Sequence, residues 1–141
     1  MMSGIRSKNT RPEIVIRNVL HKKGFRFRLH QSGLPGKPDL VFPKYNAVIF
    51  THGCFWHGHD CVLFKWPATR PDFWKNKING NKQNDKKVLD KLLGEGWRVL
   101  VIWECSFKGR GRLELRKVLS ATSKWLKSKA GYLEIRGRNL L

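Results

Sequence analysis

The alternation of hydrophobic and polar positions divides the first half of the chain into a helix and three strands. Thr10 is a good N-cap, Glu13 completes a capping box, and apolar residues then recur at helical spacing until Gly24. Residues 25–30 alternate apolar and basic side chains, the period of a strand with one buried face. After a loop, two short apolar runs at 38–42 and 47–50 predict a hairpin.

The second half of the chain predicts a buried strand between two helices. In chain order the elements are a helix, a strand and a helix, at about 72–93, at 97–103 and at about 113–127. The strand is almost continuously apolar, which is typical of a central strand covered on both faces. A break of the first of these helices near Asn79 and Gly80 is an alternative, and residues 131–141 receive no assignment. The order α-β-β-β-α-β-α predicts one α/β domain over residues 1–141, with a mixed sheet flanked by helices.

The charge balance indicates a polyanionic partner. The chain has 29 Lys and Arg against 10 Asp and Glu, a formal net charge of +19. DNA or RNA is favoured because cationic side chains release counterions from phosphates, and residues 1–9, with Arg6 and Lys8, predict a flexible arm along a backbone. A merely basic, ribosome-like surface is the alternative. The basic residues are spread along the whole chain, which argues against a membrane surface.

No segment predicts membrane insertion or export. No apolar run approaches the roughly 18 residues that span a bilayer, and the N-terminus lacks an apolar signal stretch. We therefore expect a cytoplasmic protein whose cysteines are reduced, so that metal binding or packing must account for them.

Residues 51–61 are the densest chemical signal, with three of the five His and two of the three Cys. Cys54, His59 and Cys61 offer three ligands, and Cys105, after the central strand, can complete a tetrahedral zinc site. The alternative is that the cysteines are small buried hydrophobes and His59 is a surface residue.

His52 and His57 in the same segment are candidates for acid and base catalysis, because imidazole exchanges protons near neutral pH. Asp39 opens the strand after Pro38, and a carboxylate at a strand edge is a normal magnesium ligand. If the two strands are hairpin neighbours, the three side chains converge at one end of the sheet. A turn or cap aspartate and structural histidines are the alternatives.

These residues closely resemble the very short patch repair (Vsr) family of DNA mismatch endonucleases. The resemblance rests on the run from Val48 to His57 and on separate blocks along nearly the whole chain up to about residue 110. These blocks are Arg6 to Asn9, Leu34 to Asp39, Pro67 to Arg70, Phe73-Trp74, Gly96 to Val99 and Trp103 to Cys105. Gly58 and Asp60 depart from the family pattern, which has further His there, and the arm before Thr10 is short.

The resemblance implies a restriction-endonuclease-like core of the order α-β-β-β-α-β. It implies a magnesium-dependent endonuclease that nicks one strand of double-stranded DNA beside a thymine-guanine mismatch arising from deaminated 5-methylcytosine. A monomer associated with the bacterial nucleoid is expected, with mismatch-repair proteins as candidate partners. Two alternatives stay open: a zinc-stabilised DNA-binding module without catalysis, and a restriction-type nuclease that cuts paired DNA.

The resemblance also implies roles for individual residues. Asp39 would bind Mg²⁺ through its carboxylate and Thr51 through its backbone carbonyl, His57 would be the general base, His52 a second catalytic residue and Glu13 an auxiliary acid. Structural Zn²⁺ is expected on Cys54, His59, Cys61 and Cys105. An aromatic wedge beside the mismatch is expected from Phe55, Trp56 and Trp74. Lys77 and Asn81 are candidates for contacts that set the sequence context.

Overall fold

The described part of the chain, residues 11–139 of a computed structural model, contains three helices and five strands. The helices are α1 (Arg11–Lys22), α2 (Pro71–Gly94) and α3 (Leu115–Lys127). The strands are β1 (Arg28–Leu29), β2 (Leu40–Phe42), β3 (Ala47–His52), β4 (Arg98–Trp103) and β5 (Tyr132–Ile135). The predicted arm at 1–9 and the predicted cap at Thr10 lie outside the described residues.

The strands form one mixed sheet in the order β1-β2-β3-β4-β5. The pairs β1-β2 and β2-β3 are antiparallel, whereas β3-β4 and β4-β5 are parallel. The carboxyl ends of β3, β4 and β5 therefore lie at one edge of the sheet. Because β2 runs the other way, its first residues lie at that same edge, which is where the candidate chemistry gathers.

The two faces of the sheet bury different cores. Alternate residues of the central strands pack against α1 and α3 on one face, among them Ile49, Leu100 and Ile102. The intervening residues, such as Val48 and Val101, pack on the α2 side. Period-two alternation with both faces covered explains why the central strands are almost continuously apolar. The predicted mixed sheet flanked by helices is confirmed.

The predicted hairpin between β2 and β3 is confirmed. Its connection is a short 3-10 segment, Pro43–Tyr45, followed by Asn46 in the left-handed region at φ 49°. The N–H of Asn46 donates to the carbonyl of Pro43 at 3.2 Å and closes the turn. The register pairs Leu40 with Ile49, which fixes the position of Asp39 opposite the end of β3.

Helix α2 runs without interruption through Asn79 and Gly80, so the break considered for this helix is not observed. A side chain at Gly80 would meet nothing within 4 Å, which places the glycine on an open face where it strains no packing. Ile78, only 1% exposed, anchors the same turn. The continuity matters because residues on both sides of Gly80 reach the candidate site.

One sequence-based assignment needs correction, and one segment without an assignment contains a strand. Only Arg28–Leu29 of the strand predicted at 25–30 pairs with β2, because Phe25 still closes the end of α1 through its N–H to the carbonyl of Leu20. Its ring is buried in the core rather than on an alternating strand face. The unassigned tail contains β5, a parallel edge strand whose burial is too slight to give a periodic hydrophobic signal.

Candidate active site and metal centre

Asp39 and Thr51 meet where β2 begins and β3 ends. The backbone N–H of Thr51 donates to Asp39 Oδ2 at 2.7 Å and its hydroxyl donates to the same oxygen at 3.0 Å. Burial raises the pKa of the Asp39 carboxyl above its ordinary value, and the hydrogen bonds from Thr51 oppose that shift. A partly desolvated carboxylate gains from a neighbouring cation, so this position suits a hard metal ion.

Glu13, His30 and Asp39 form a compact group beside this contact. His30 lies between the two carboxylates, with Nε2 3.4 Å from Glu13 Oε1 and Nδ1 3.5 Å from Asp39 Oδ1. One ligand atom from each residue lies within 4.8 Å of the others. Glu13 is buried on the first helix. The donor set of two carboxylates fits a divalent cation. The sequence did not single out His30, which is only the last residue of the strand predicted at 25–30.

His52 and His57 lie face to face, with ring centroids 3.8 Å apart and an interplanar angle of 6°. Burial lowers the pKa of His52 to about 3, and repulsion from His57 acts in the same direction. His52 is therefore neutral throughout the physiological range. Its Nδ1 is buried and has no hydrogen-bond partner within residues 11–139. The His52 ring therefore places no positive charge beside His57.

Asp85 of α2 completes the histidine pair and was not foreseen from the sequence. Its Oδ2 lies 2.6 Å from His57 Nδ1. The available signal was its helical face: Asp85 is seven residues after the buried Ile78 and seven before the buried Leu92. A carboxylate on that inward face requires a partner, and the partner is His57.

These residues line one cavity of about 660 Å³ between α2 and the sheet edge. Its polar wall includes Asp39, Thr51, His52, His57 and Asp85. Its apolar wall includes Val88, Val99, Val101, Trp103 and Tyr132. The structure thus brings together the predicted catalytic residues, with Glu13 adjoining through His30.

The predicted zinc ligands also converge. One ligand atom from each of Cys54, His59, Cys61 and Cys105 lies within 4.8 Å of the others. His59 Nδ1 lies 3.6 Å from both the Cys54 and the Cys105 sulfur. Burial raises the pKa of both thiols and lowers the pKa of His59. A Cys₃His set of this closeness fits a tetrahedral zinc ion, which would stabilise the thiolates that burial alone disfavours. We call this group the Cys₃His cluster.

Local contacts hold the Cys₃His cluster in place. His59 stacks on Trp103 at 3.9 Å with an interplanar angle of 9°. The N–H of Gly137 points to the Cys105 sulfur at 3.3 Å, and Arg136 binds the Asp60 carboxylate at 2.8 Å. The segment after β5 therefore closes over the cluster, a feature that the unassigned tail did not reveal.

The predicted wedge residues form part of a surface cluster of aromatic rings. Phe55 contacts Trp56 and Trp74 at centroid distances of 5.2 and 5.4 Å. The ring of Phe64 stacks on Phe55 at 5.8 Å and contacts Trp66 at 4.9 Å. Phe64 and Trp66 were not predicted as members of this cluster. Trp56 and Trp66 are 45% and 50% exposed, so the outer rings are available to a ligand.

The two candidates for sequence-context contacts lie on α2. Asn81 donates its amide N–H to the carbonyl of Trp56 at 2.9 Å, so its side chain holds the loop that contains Trp56. Lys77 is exposed on the neighbouring turn.

Among the described residues, no helix is both long enough and apolar enough to cross a membrane.

Comparison with known proteins finds relatives among DNA mismatch endonucleases and nicking enzymes. The family model described as DNA mismatch endonuclease Vsr matches residues 1–63. The chain is 50% identical over 116 residues to the Type II nicking enzyme V.XorIIP of Xanthomonas oryzae pv. oryzae, covering 82% of this chain and 85% of the relative. It is 42% identical over 125 residues to the DNA mismatch endonuclease Vsr of Escherichia coli, covering 89% and 80%.

A further relative is the Type II nicking enzyme V.NmeAIP of Neisseria meningitidis, which is 43% identical over 110 residues and covers 78% of this chain and 79% of the relative. Identity of this extent over most of both chains shows common descent. The chain belongs to the Vsr family of DNA mismatch endonucleases, enzymes that hydrolyse phosphodiester bonds in DNA.

Proposed function

We propose that the chain is a magnesium-dependent DNA endonuclease that nicks one strand beside a thymine-guanine mismatch and so starts very short patch repair. The observation that carries the proposal is the cavity at the sheet edge, where the Asp39 carboxylate and the paired His57 and Asp85 lie together. The names of the relatives, a mismatch endonuclease and nicking enzymes, support the substrate.

Asp39 would hold Mg²⁺ together with the backbone carbonyl of Thr51, and Glu13 adds a second carboxylate nearby. When bound, the cation supplies positive charge that stabilises the phosphorane-like transition state. The hydrogen bonds from Thr51 orient the Asp39 carboxylate before any ion arrives. Removal of Asp39 would therefore remove both charge and preorganisation.

His57 would act as the general base. With its Nδ1–H donating to Asp85, neutral His57 presents Nε2 as the proton acceptor. The attacking water loses its proton to Nε2 while its oxygen bonds to phosphorus and the bond from phosphorus to the 3′ oxygen breaks. The 3′ oxygen leaves with the bonding electron pair and takes a proton from solvent water, and His57 later returns its proton to solvent, so the products are a 3′ hydroxyl and a 5′ phosphate. The Asp85 carboxylate stabilises the imidazolium that forms.

The Cys₃His cluster would have a structural role. Four protein ligands saturate a tetrahedral zinc ion and leave no open coordination position for catalysis. The bound zinc would order the loop that carries His52, the wedge residues and His57. Metal binding at this cluster would thus support catalysis without taking part in it.

The test is a nicking assay on end-labelled duplexes that differ only in one thymine-guanine or paired position. We expect strand-specific nicking of the mismatched duplex, dependent on Mg²⁺, lost in His57→Ala and retained in His21→Ala, an exposed histidine of α1. Binding without cleavage would favour a zinc-stabilised binding module. Equal cleavage of the paired duplex would favour a restriction-type nuclease.

A further inference from the structure

A second concave surface, the arginine cleft, lies at the same edge of the sheet as the candidate active site. It has a volume of about 330 Å³ and is lined by Arg110, Arg112, Leu113, Glu114 and Arg138. These residues follow β4 and β5, whose carboxyl ends lie beside that of β3. Two strand spacings, about 10 Å, separate the ends of β3 and β5.

Backbone contacts fix the two segments that form the arginine cleft. The N–H of Arg138 donates to the carbonyl of Gly111 at 2.7 Å, and the N–H of Leu113 donates to the carbonyl of Ser106 at 2.8 Å. A Cβ at Gly111 would lie 2.7 Å from the carbonyl oxygen of Arg138, so only glycine permits this approach. The guanidinium groups are therefore borne on a built, closely packed support.

The lining of the arginine cleft is positively charged, with three arginines against one glutamate. Within residues 11–139, Arg110, Arg112 and Arg138 form no ion pair with a carboxylate. The one acidic residue of the lining, Glu114, binds the Nε of Arg116 at 2.8 Å. Arg112 donates to the carbonyl of Gly109 at 3.0 Å, and none of the three exposed guanidiniums is neutralised by a carboxylate of these residues, so they suit an external anion.

We propose that the arginine cleft binds a backbone phosphate of the DNA, distant from the phosphate that is cleaved. Arginine presents paired N–H donors that match phosphate oxygens, and such contacts position a duplex without reading its sequence. Each strand has one charge per about 3.4 Å of helix axis, so two sites about 10 Å or more apart along that axis contact phosphates about three or more nucleotides apart. The inference rests on the proposed action on duplex DNA.

The test compares the salt dependence of binding for Arg110→Ala and Arg138→Ala with wild type on a paired duplex. The slope of log K against log salt is negative, and each lost phosphate contact should make it shallower by about 0.9. Lys124→Ala is the matched control, because this exposed residue lies near the end of α3, which leads to the opposite edge of the sheet. Relative to wild type, the salt slope of Lys124→Ala should change less than the salt slopes of Arg110→Ala and Arg138→Ala.

Two further measurements separate this proposal from the proposed function. At saturating mismatched DNA the arginine variants should nick at the wild-type rate, since the cleft positions DNA away from the reacting phosphate. Shortening the duplex on one side of the mismatch should remove the difference between wild type and variants, whereas shortening the other side should not. Arg138→Lys, which keeps the charge, should retain most of the slope and controls for folding.

The proposal is wrong if the arginine variants keep the wild-type slope, or lose no more than Lys124→Ala. It is also wrong if they lose nicking rate at saturation, which would place the arginines in catalysis or folding. Competition by inorganic phosphate alone, with an unchanged duplex slope, would identify a small-anion site instead. None of these results depends on whether the nick is specific for a mismatch.

Discussion

The Nδ1 of His57 lies 2.6 Å from Oδ2 of Asp85, and this contact joins the loop after β3 to the middle of α2. The same helix face holds Trp74 in the aromatic cluster and Asn81 on the carbonyl of Trp56. These three residues recur at intervals of seven and four, one face of a continuous helix. Helix α2 thus fixes the position of His57, the proposed general base, relative to the aromatic cluster, and a break at Gly80 would have uncoupled the two.

We predict that His57→Ala lowers the single-turnover nicking rate at least about a hundredfold, the usual effect of a positioned general base. Asp85→Asn should lower it about tenfold to a hundredfold, since a hydrogen bond to a charged group contributes about 1.5–3 kcal/mol. Binding of mismatched DNA should persist in both. Near wild-type nicking by His57→Ala would remove this residue from the mechanism.

Asp39→Ala should abolish metal-dependent nicking, because the site then lacks the carboxylate that Thr51 orients. The measurement is a magnesium titration of the nicking rate. Asp90→Ala, which removes an exposed carboxylate elsewhere on α2, is the control and should leave the titration unchanged. Full activity of Asp39→Ala at ordinary magnesium would contradict the assignment.

Cys105→Ala should destabilise the whole domain rather than only the reaction, because opening a closed zinc site loses folding free energy. We expect about one zinc per chain in wild type and much less in the variant. The melting temperature should fall by about 10 °C or more, since each lost kcal/mol lowers it by several degrees. A metal-free wild type with the variant's melting behaviour would return the cysteines to a packing role.

The buried His52 should make stability depend on pH. Its pKa is about 3 in the folded chain against an ordinary value of 6.5, so the unfolded state binds more protons between these values. The contribution is therefore fully present above pH 6.5 and is lost as the pH falls toward 3.

Denaturant unfolding without added magnesium at about pH 7.5 and about pH 5 measures this effect. Wild type should lose more stability than His52→Gln between the two values, since glutamine does not titrate. His59, whose pKa burial also lowers, is present in both proteins and cancels in the comparison. Equal losses would show that the pKa of His52 is the same in the folded and the unfolded chain, which would contradict the prediction.

Trp56→Ala and Trp74→Ala should weaken binding of mismatched DNA by about 1–3 kcal/mol for each lost stacking contact. Inserting rings costs least at a mismatched step, so selectivity follows from the deformation of the DNA. Binding of paired DNA, which depends on phosphate contacts, should change little. Equal losses on both duplexes, or a matching loss of thermal stability, would show that these rings stabilise the fold.

Local patterns in the sequence determined much of the fold and part of the site. Continuous apolar runs predicted β3 and β4, and the crowded segment with Cys54 and His59 predicted the Cys₃His cluster. These predictions succeed because period and spacing express the burial of a strand or the reach of a ligand set within a few residues. The paired strands then placed Asp39 beside Thr51, as the hairpin implied.

Tertiary structure alone decided the contacts between residues distant along the chain. His30 reaches Asp39 because the segment before β2 folds back along it, and Asp85 reaches His57 across 28 positions. Strand β5 is likewise defined by its pairing with β4, and the arginine cleft by the contact between Gly111 and Arg138, rather than by their own composition. A short edge strand buries too little to leave a periodic pattern, and a charged side chain acquires its partner only when separate elements pack together.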